Sequence, residues 1–363
     1  MLAPIVLSNH GMRHSGGIER YLLTLVRGLH ERGIRPTVVA KRFDRAIEEY
    51  AWVDAVPINV KAVPGKLRDA WFDWRLRALK ARRGWFPVVA LNQTAAADIA
   101  ICGSNHPAHL AAMGLPVGWW DRRKIALERA HLENAQVIVA HSHLLAEQVV
   151  LHYGIAPDKI EVAYPPVDEQ RFRSVDPAQR QRQRAALGLR ADQAVFLLVS
   201  TGHARKGLDL AVRALRGQQN AILAVVGRPP GITAPHLRYL GYRADMESVY
   251  PAVDCTLITS RYEPFGLVGV ESVLCGTPVI AARNVGCAEV LSERAATRFD
   301  IDNTHSLTTA IDSALARWRD SSLRLSEPHA ELGYAPSVQS HLDILLRWVD
   351  RLRNPQANAV QTA

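Results

Sequence analysis

Ser260-Arg261-Tyr262-Glu263-Pro264-Phe265-Gly266-Leu267-Val268-Gly269-Val270-Glu271-Ser272-Val273-Leu274-Cys275-Gly276 follows the apolar run Val253 to Thr259. Together they read as a strand, a polar turn and a helix opening near Phe265 and closing at Gly276. The two carboxylates, Glu263 and Glu271, have seven residues between them. Glu271 has mostly apolar neighbours along the helix, and a buried carboxylate without hydrogen-bond donors is costly; ribose hydroxyls are suitable donors. Glu263 stands just before the helix. There the backbone N–H groups of Phe265, Gly266 and Leu267 can face a phosphate or sugar while the carboxylate binds sugar hydroxyls. The alternative is a helix N-terminal charge plus a core salt bridge.

Upstream, Ser200-Thr201-Gly202-His203-Ala204-Arg205-Lys206-Gly207 lies between a buried strand, Ala194 to Ser200, and an amphipathic helix carrying Leu208, Leu210, Ala211, Ala214 and Leu215. This places Arg205 and Lys206 at a helix start. The helix dipole disfavours cations there by roughly 0.3–1 kcal/mol each unless an anion such as a diphosphate neutralises them. The alternative is a solvated basic turn.

Further outward the same alternation of short apolar runs and amphipathic segments recurs. Ile5 to Ser8, Thr37 to Lys41, Val88 to Leu91, Asp98 to Cys102 and Gln136 to Ala140 read as strands, as do Ala194 to Ser200, Ala221 to Val226, Val253 to Thr259 and Thr277 to Ala281. Such alternation predicts α/β architecture with parallel sheets. The pattern lapses from Tyr164 to Pro177, and 363 residues exceed what one core usually serves. We therefore expect an N-terminal domain over 1–168, a C-terminal domain over 169–336, and a helix over 337–353 able to pack back on the N-terminal domain. The tail after Asn354 is expected to be disordered.

The first domain opens with Ile5 to Ser8, a polar loop, Gly16-Gly17 and a helix from about Ile18 to Arg32. Glycines at a strand-to-helix turn let a ligand approach the backbone. The third glycine of a dinucleotide fingerprint is missing, and Lys41-Arg42 stands where its acidic residue would be, which argues against NAD.

In this order the motifs resemble retaining glycosyltransferases of family 4 with the GT-B fold. Glu263 and Glu271 match their Glu-x7-Glu motif, and Arg205-Lys206-Gly207 resembles their diphosphate-binding pair. The likeness extends to Gly16-Gly17-Ile18-Glu19-Arg20, Leu127-Glu128-Arg129-Ala130, Pro165-Pro166 and Gly276-Thr277-Pro278-Val279. Within the family, Glu128 to Ala130 and Arg205 to Asp209 are similar to bacterial enzymes adding a hexose to the lipopolysaccharide core.

The resemblance implies two facing Rossmann-like domains with an interdomain cleft. It further implies a nucleotide-sugar donor, UDP-linked by expectation, and a glycan or lipid-linked acceptor. No cofactor and no metal are expected. The acceptor hydroxyl would attack on the face from which the diphosphate leaves, with Arg205 and Lys206 stabilising the leaving charge. Glu263 would hold the donor sugar and Glu271 the ribose. Gly202, Phe265, Gly266 and Leu267 would line the phosphates and sugar, and Tyr242 and Arg243 resemble the base-contacting loop. Gly16 and Gly17 would admit acceptor or diphosphate. From the first domain, Asn105, His106 and His109 are candidates for a polar group beside the reacting sugar; we choose His106, against the alternative of a loop histidine without a role. A GT-B sugar-nucleotide epimerase is the rival enzyme.

A net charge of +9 suits anionic partners. No recognition motif supports nucleic acid. Lys66 to Trp85 and Gly118 to Arg129 combine tryptophan with lysine and arginine, which suits an anionic membrane surface; the alternative is that these tryptophans pack inward. No apolar run is long enough to span a bilayer, and Met1 to Val6 lacks the features of a signal peptide. A cytoplasmic protein, peripheral on the inner face of the membrane, is expected. Cys102, Cys255, Cys275 and Cys287 lie far apart and read as reduced core thiols.

Overall fold

Val6, Leu7 and Ser8 show how the first sheet is built. Leu7 packs with Leu22, Leu25 and Val26 on one face, whereas Val6 packs with Phe72 and Leu76 on the other. Alternate side chains of a strand point to opposite faces, so a strand buried on both sides must be apolar throughout. The computed structural model describes residues 4–355. The tail expected to be disordered lies, beyond 355, outside the described residues.

Two compact units form. One contains the described residues up to Pro166 and those from Pro336 onward; the other is Val167–Ala335. In chain order unit 1 comprises β1 (Val6–Ser8), β2 (Gly11–Met12), α1 (Gly17–Glu31), β3 (Thr37–Ala40), β4 (Arg42–Phe43), β5 (Asp54–Pro57), α2 (Arg68–Arg83), β6 (Val88–Ala90), β7 (Ile99–Cys102), α3 (His106–Ala112), α4 (Trp119–Asn134), β8 (Val137–Ala140), α5 (His143–Tyr153) and β9 (Ile160–Val162). Unit 2 comprises α6 (Pro177–Ala186), β10 (Ala194–Ser200), α7 (His203–Lys206), α8 (Leu208–Ala214), β11 (Ala221–Gly227), β12 (Leu237–Tyr239), α9 (Met246–Val249), β13 (Cys255–Ile258), α10 (Leu267–Leu274), β14 (Val279–Ala282), β15 (Ala296–Phe299) and α11 (Thr304–Arg319). The last helix, α12 (Val338–Arg353), belongs to unit 1.

The unit 1 sheet runs β5-β3-β1-β6-β7-β8-β9 and the unit 2 sheet β12-β11-β10-β13-β14-β15. Every pairing within them is parallel. In unit 2 the chain builds outward from β10 in one direction through β11, then returns to its other side with β13. Such a reversal opens a crevice at the carboxyl ends of the two central strands, where doubly wound sheets bind ligands.

Helix α12 is tied to α1. Gly28 permits the close approach: a Cβ there would lie 2.7 Å from Leu342 and 2.8 Å from Val338. Leu342, Leu345 and Val349 complete the core beside Leu22, Leu25 and Leu29. Buried His341 accepts from Tyr21 Oη across 2.5 Å while its Nδ1 lies 2.9 Å from the Tyr164 carbonyl. The four cysteines are buried thiols, and burial raises each thiol above its ordinary value, Cys275 to about 12.

Two local expectations are corrected. The helix after Glu263 starts at Leu267, because Gly266 adopts a left-handed conformation at φ +93° that cannot belong to a right-handed helix. Arg205 and Lys206 close the short helix α7, and Gly207, left-handed at φ +67°, separates them from α8. They thus stand at the end of the one-turn α7, whose dipole favours cations, and directly before the longer α8, whose dipole disfavours them, so the dipole argument by itself no longer decides whether an anion is needed.

Candidate active site

Three of the sequence-chosen side chains converge at the carboxyl ends of β10 and β13. Gly207 makes this possible: a Cβ there would stand 2.0 Å from the Thr259 carbonyl oxygen, so only glycine lets the turn after α7 lie against the end of β13. The two segments are stitched together. Arg261 N–H donates to the Arg205 carbonyl at 2.8 Å, and Thr259 Oγ1 donates to the Lys206 carbonyl at 2.8 Å.

The side chains follow. Arg205 Nη1 donates to the Tyr262 carbonyl at 3.0 Å and reaches Glu263 Oε2 at 3.2 Å. Lys206 Nζ also pairs with Glu263 Oε2, and Ser260 Oγ donates to the same oxygen at 3.3 Å. Burial alone would raise the Glu263 carboxyl, but Lys206 and Arg205, aided by hydrogen bonds from Lys206 and Ser260, hold it below the usual carboxylate range. All these contacts fall on Oε2; among the described residues none donates to Oε1. The cluster therefore keeps an acceptor oxygen for a ligand hydroxyl and one excess positive charge.

The backbone after Glu263 is fixed by the turn that follows β14. Gly286 N–H donates to the Glu263 carbonyl at 3.1 Å and Cys287 N–H to the Phe265 carbonyl at 2.6 Å. A Cβ on Gly286 would sit 2.0 Å from the Pro264 oxygen. Phe265 is buried edge-on to Tyr334, Gly266 precedes α10, and Leu267 begins it. Glu271, 6% exposed on α10, accepts from Tyr250 Oη at 2.7 Å.

On the other side of β10, the ends of β11 and β12 adjoin. Gly227 N–H donates to the Gly241 carbonyl at 3.0 Å. Tyr242 is 75% exposed, and Arg243 forms a two-point ion pair with Asp245 at 2.6 and 2.9 Å. Gly202 precedes α7, its carbonyl accepting from Lys206 N–H at 3.0 Å. His203, not singled out from sequence, bridges Ser200 Oγ at 2.7 Å and the Pro229 carbonyl at 2.9 Å, tying α7 to β10 and the segment after β11.

The remaining candidates lie in unit 1. Gly16 and Gly17 open α1, and a Cβ on Gly17 would meet nothing within 4 Å. His106 is the first residue of α3; its Nε2 lies 2.9 Å from Asp121 Oδ1, and its backbone N–H donates to buried Glu128 at 2.9 Å. An ionised carboxylate only accepts, so Asp121 fixes the tautomer with the proton on Nε2. Hydrogen bonding from His106 holds the Asp121 carboxyl below its ordinary value. Asp121 and Ser260 were missed from sequence. Ser260 is only three residues from Glu263, a spacing that offers a signal, whereas Asp121 comes from a different helix and offers none. Among the described residues no group of three or more His, Cys, Asp or Glu is placed to hold a metal ion.

Residues 15–171 match the Glycosyltransferase Family 4 model and residues 179–329 the Glycosyl transferases group 1 model. A protein of Burkholderia thailandensis named as a probable transglycosylase is 43% identical over 346 residues, covering 94% of this chain and 95% of its own. WaaG, a glycosyltransferase involved in lipopolysaccharide biosynthesis, superposes with a TM-score of 0.74 at 18% identity over 93% of this chain and 95% of its own. HepE of Anabaena, solved with UDP-glucose, gives 0.77 at 17% identity over 96% and 100%. Two parallel-sheet α/β units of this kind are the GT-B fold. The chain belongs to the glycosyltransferases that join a family 4 N-terminal region to a group 1 C-terminal region.

Proposed function

We propose that this glycosyltransferase moves a hexose from a UDP-linked donor to a glycan or lipid-linked acceptor, lipopolysaccharide core included, with retention of anomeric configuration and without a metal. The observation that carries this reading is the convergence of Arg205, Lys206 and Ser260 on one oxygen of Glu263. It leaves the other oxygen and a surplus cation at the sheet's switch point. UDP-glucose bound to HepE is what supports the choice of nucleotide.

In this mechanism the donor's C1–O bond breaks and its electron pair passes to the diphosphate oxygen. Arg205 and Lys206 stabilise that charge as it develops. The acceptor oxygen bonds to C1 on the same face and gives its proton to the departing phosphate. Glu263 Oε1 accepts from a sugar hydroxyl and Glu271 from the ribose, with Tyr250 holding its other oxygen. Tyr242 and Arg243 border the base, Gly202 and the Phe265–Leu267 turn the phosphates and sugar, and Gly16 and Gly17 the approaching substrate. His106, oriented by Asp121, contributes a polar group from the N-terminal domain.

A lipid-linked acceptor accords with the surface of unit 1. Trp71, Trp74, Trp119 and Trp120 are 36–58% exposed, and Lys66 lies 4.3 Å over the Trp120 ring, joining the two basic aromatic stretches. We therefore read this surface as facing an anionic membrane. Among the described residues no helix is long and apolar enough to cross one.

The test is transfer from UDP-hexose to a core-oligosaccharide acceptor, with NMR of the product's anomeric proton and parallel reactions containing chelator. An α-donor giving an α-linked product with chelator present is expected; an inverted product or metal dependence contradicts the proposal. The glycosyltransferase families matched favour transfer over epimerisation. Donor incubated alone should therefore yield no epimer.

A further inference from the structure

Beyond the ends of β1 and β3, unit 1 carries a basic pocket of about 190 Å³. Its floor is set by backbone pairing: Gly11 pairs with Arg42 in the small parallel sheet, and Lys41 N–H donates to the His10 carbonyl at 3.2 Å. Arg13 and Arg42 line the pocket from this ribbon, and Arg68 lines it from the start of α2.

The charges there are unevenly matched. Lys41 is paired with Asp69, but among the described residues no carboxylate forms an ion pair with Arg13, Arg42 or Arg68. Arg68 Nε donates to the Val63 carbonyl at 2.9 Å, leaving its terminal nitrogens for another acceptor. Glu19 also lines the pocket, with no ion pair among the described residues, so three guanidinium groups share one carboxylate and keep a surplus of positive charge that a further anion would neutralise. A tetrahedral phosphate offers each of them an oxygen and forms the two-point contacts that arginine favours.

His10 points the same way. Its Nε2 is buried without a hydrogen-bond partner, and Asp69 Oδ1, at 3.8 Å, is beyond hydrogen-bond reach. Burial and the Lys41 charge outweigh Asp69 and push the ring down to about 4, so it is neutral near pH 7 and able to donate one N–H. The His10 side chain is 38% exposed at the pocket, so a ligand atom can reach this unpartnered nitrogen.

We propose that this pocket binds a phosphate ester carried by the acceptor, held by Arg13, Arg42 and Arg68 with His10 at its base. The inference rests on reading unit 1 as the acceptor half of the enzyme. The pocket wall at Gly65, Arg68 and Asp69 continues into exposed Leu67 and Trp71, so the ester belongs either to a lipid headgroup or to a soluble phosphorylated glycan.

The experiment compares the full chain with Arg13→Gln and Arg42→Gln. Both side chains are exposed and hold no carboxylate among the described residues, so the variants should fold, which thermal melts check. One arm titrates glycerol 3-phosphate by calorimetry; the other measures flotation with phosphatidylcholine vesicles with and without phosphatidic acid. Affinity about tenfold weaker for each arginine removed is expected. Arginine-dependent binding of the soluble ester supports the pocket with a soluble source; arginine-dependent binding confined to phosphatidic acid supports it with a headgroup source. Equal binding by parent and variants in both arms, or none, overturns the proposal. A UDP titration of the parent protein run alongside tests the donor reading by itself, so UDP binding with both phosphate arms negative overturns this pocket alone.

Discussion

Replacing Lys206 by alanine separates what its ammonium does for the fold from what it does for the reaction. The side chain is 14% exposed and pairs with Glu263, itself 13% exposed. Its removal does not strand that carboxylate, because Arg205 remains at 3.2 Å and Ser260 Oγ at 3.3 Å. The stability cost should therefore stay near that of one charged hydrogen bond, about 1.5–3 kcal/mol. Loss of a preorganised charge facing the leaving diphosphate should lower the transfer rate at saturating donor by about 10²–10³-fold. Denaturant melts read the first effect and steady-state kinetics with UDP calorimetry the second. A lysine that served only to position Glu263 would lose its effect in a Glu263→Gln background; the mechanism proposed here expects Lys206→Ala to cost about 10²-fold there too. A variant within about threefold of the parent rate, with unchanged UDP affinity, refutes the reasoning.

The other expectations concern different links of the chain. His131, His141 and His341 are buried, and burial lowers them to about 4, 3 and 4 from 6.5. Their unfolded forms bind protons first, so stability present above pH 6.5 should fall as the pH drops toward these values, by about 2 kcal/mol per histidine at about pH 5. Urea melts that are equally stable at both pH values contradict this. Gly207→Ala puts a Cβ 2.0 Å from the Thr259 oxygen at a φ of +67°; the strain alone should cost about 1–3 kcal/mol and UDP binding should weaken, whereas Gly17→Ala should melt like the parent. His106→Ala should lower transfer by about 10²-fold with UDP affinity retained, and a loss confined to UDP binding contradicts its assignment. Replacing Trp119, Trp120 and Arg122 to Lys124 should reduce binding to anionic vesicles; unchanged flotation removes the membrane-facing reading of that surface.

The strands legible from sequence were those buried on both faces. Ala194–Ser200 begins and ends where its apolar run does, and Val88–Ala90 and Val137–Ala140 fall within a residue or two of their runs. The edge strands were not legible. Asp54–Pro57, Ile160–Val162, Leu237–Tyr239 and Ala296–Phe299 each have partly or fully exposed residues and too short a run for periodicity to register. At the site, residue type and spacing marked Arg205, Lys206 and Glu263, but not how they would be arranged. The dipole argument called for an external anion beside the two cations. The left-handed Gly207 instead ends α7 at Lys206, and Glu263 supplies part of the countercharge. Spacing along the chain does not reveal which side chains meet when β11, β12 and β13 lie between them. The His106–Asp121 pair was hidden for the same reason, since its two members lie on separate helices.

The measurement bearing most directly on the central claim is a crystal structure of the protein soaked with UDP-glucose. Diphosphate density within hydrogen-bond reach of Arg205 and Lys206, with a glucose hydroxyl against Glu263 Oε1, is the predicted result. A fully occupied donor bound away from these three side chains contradicts it.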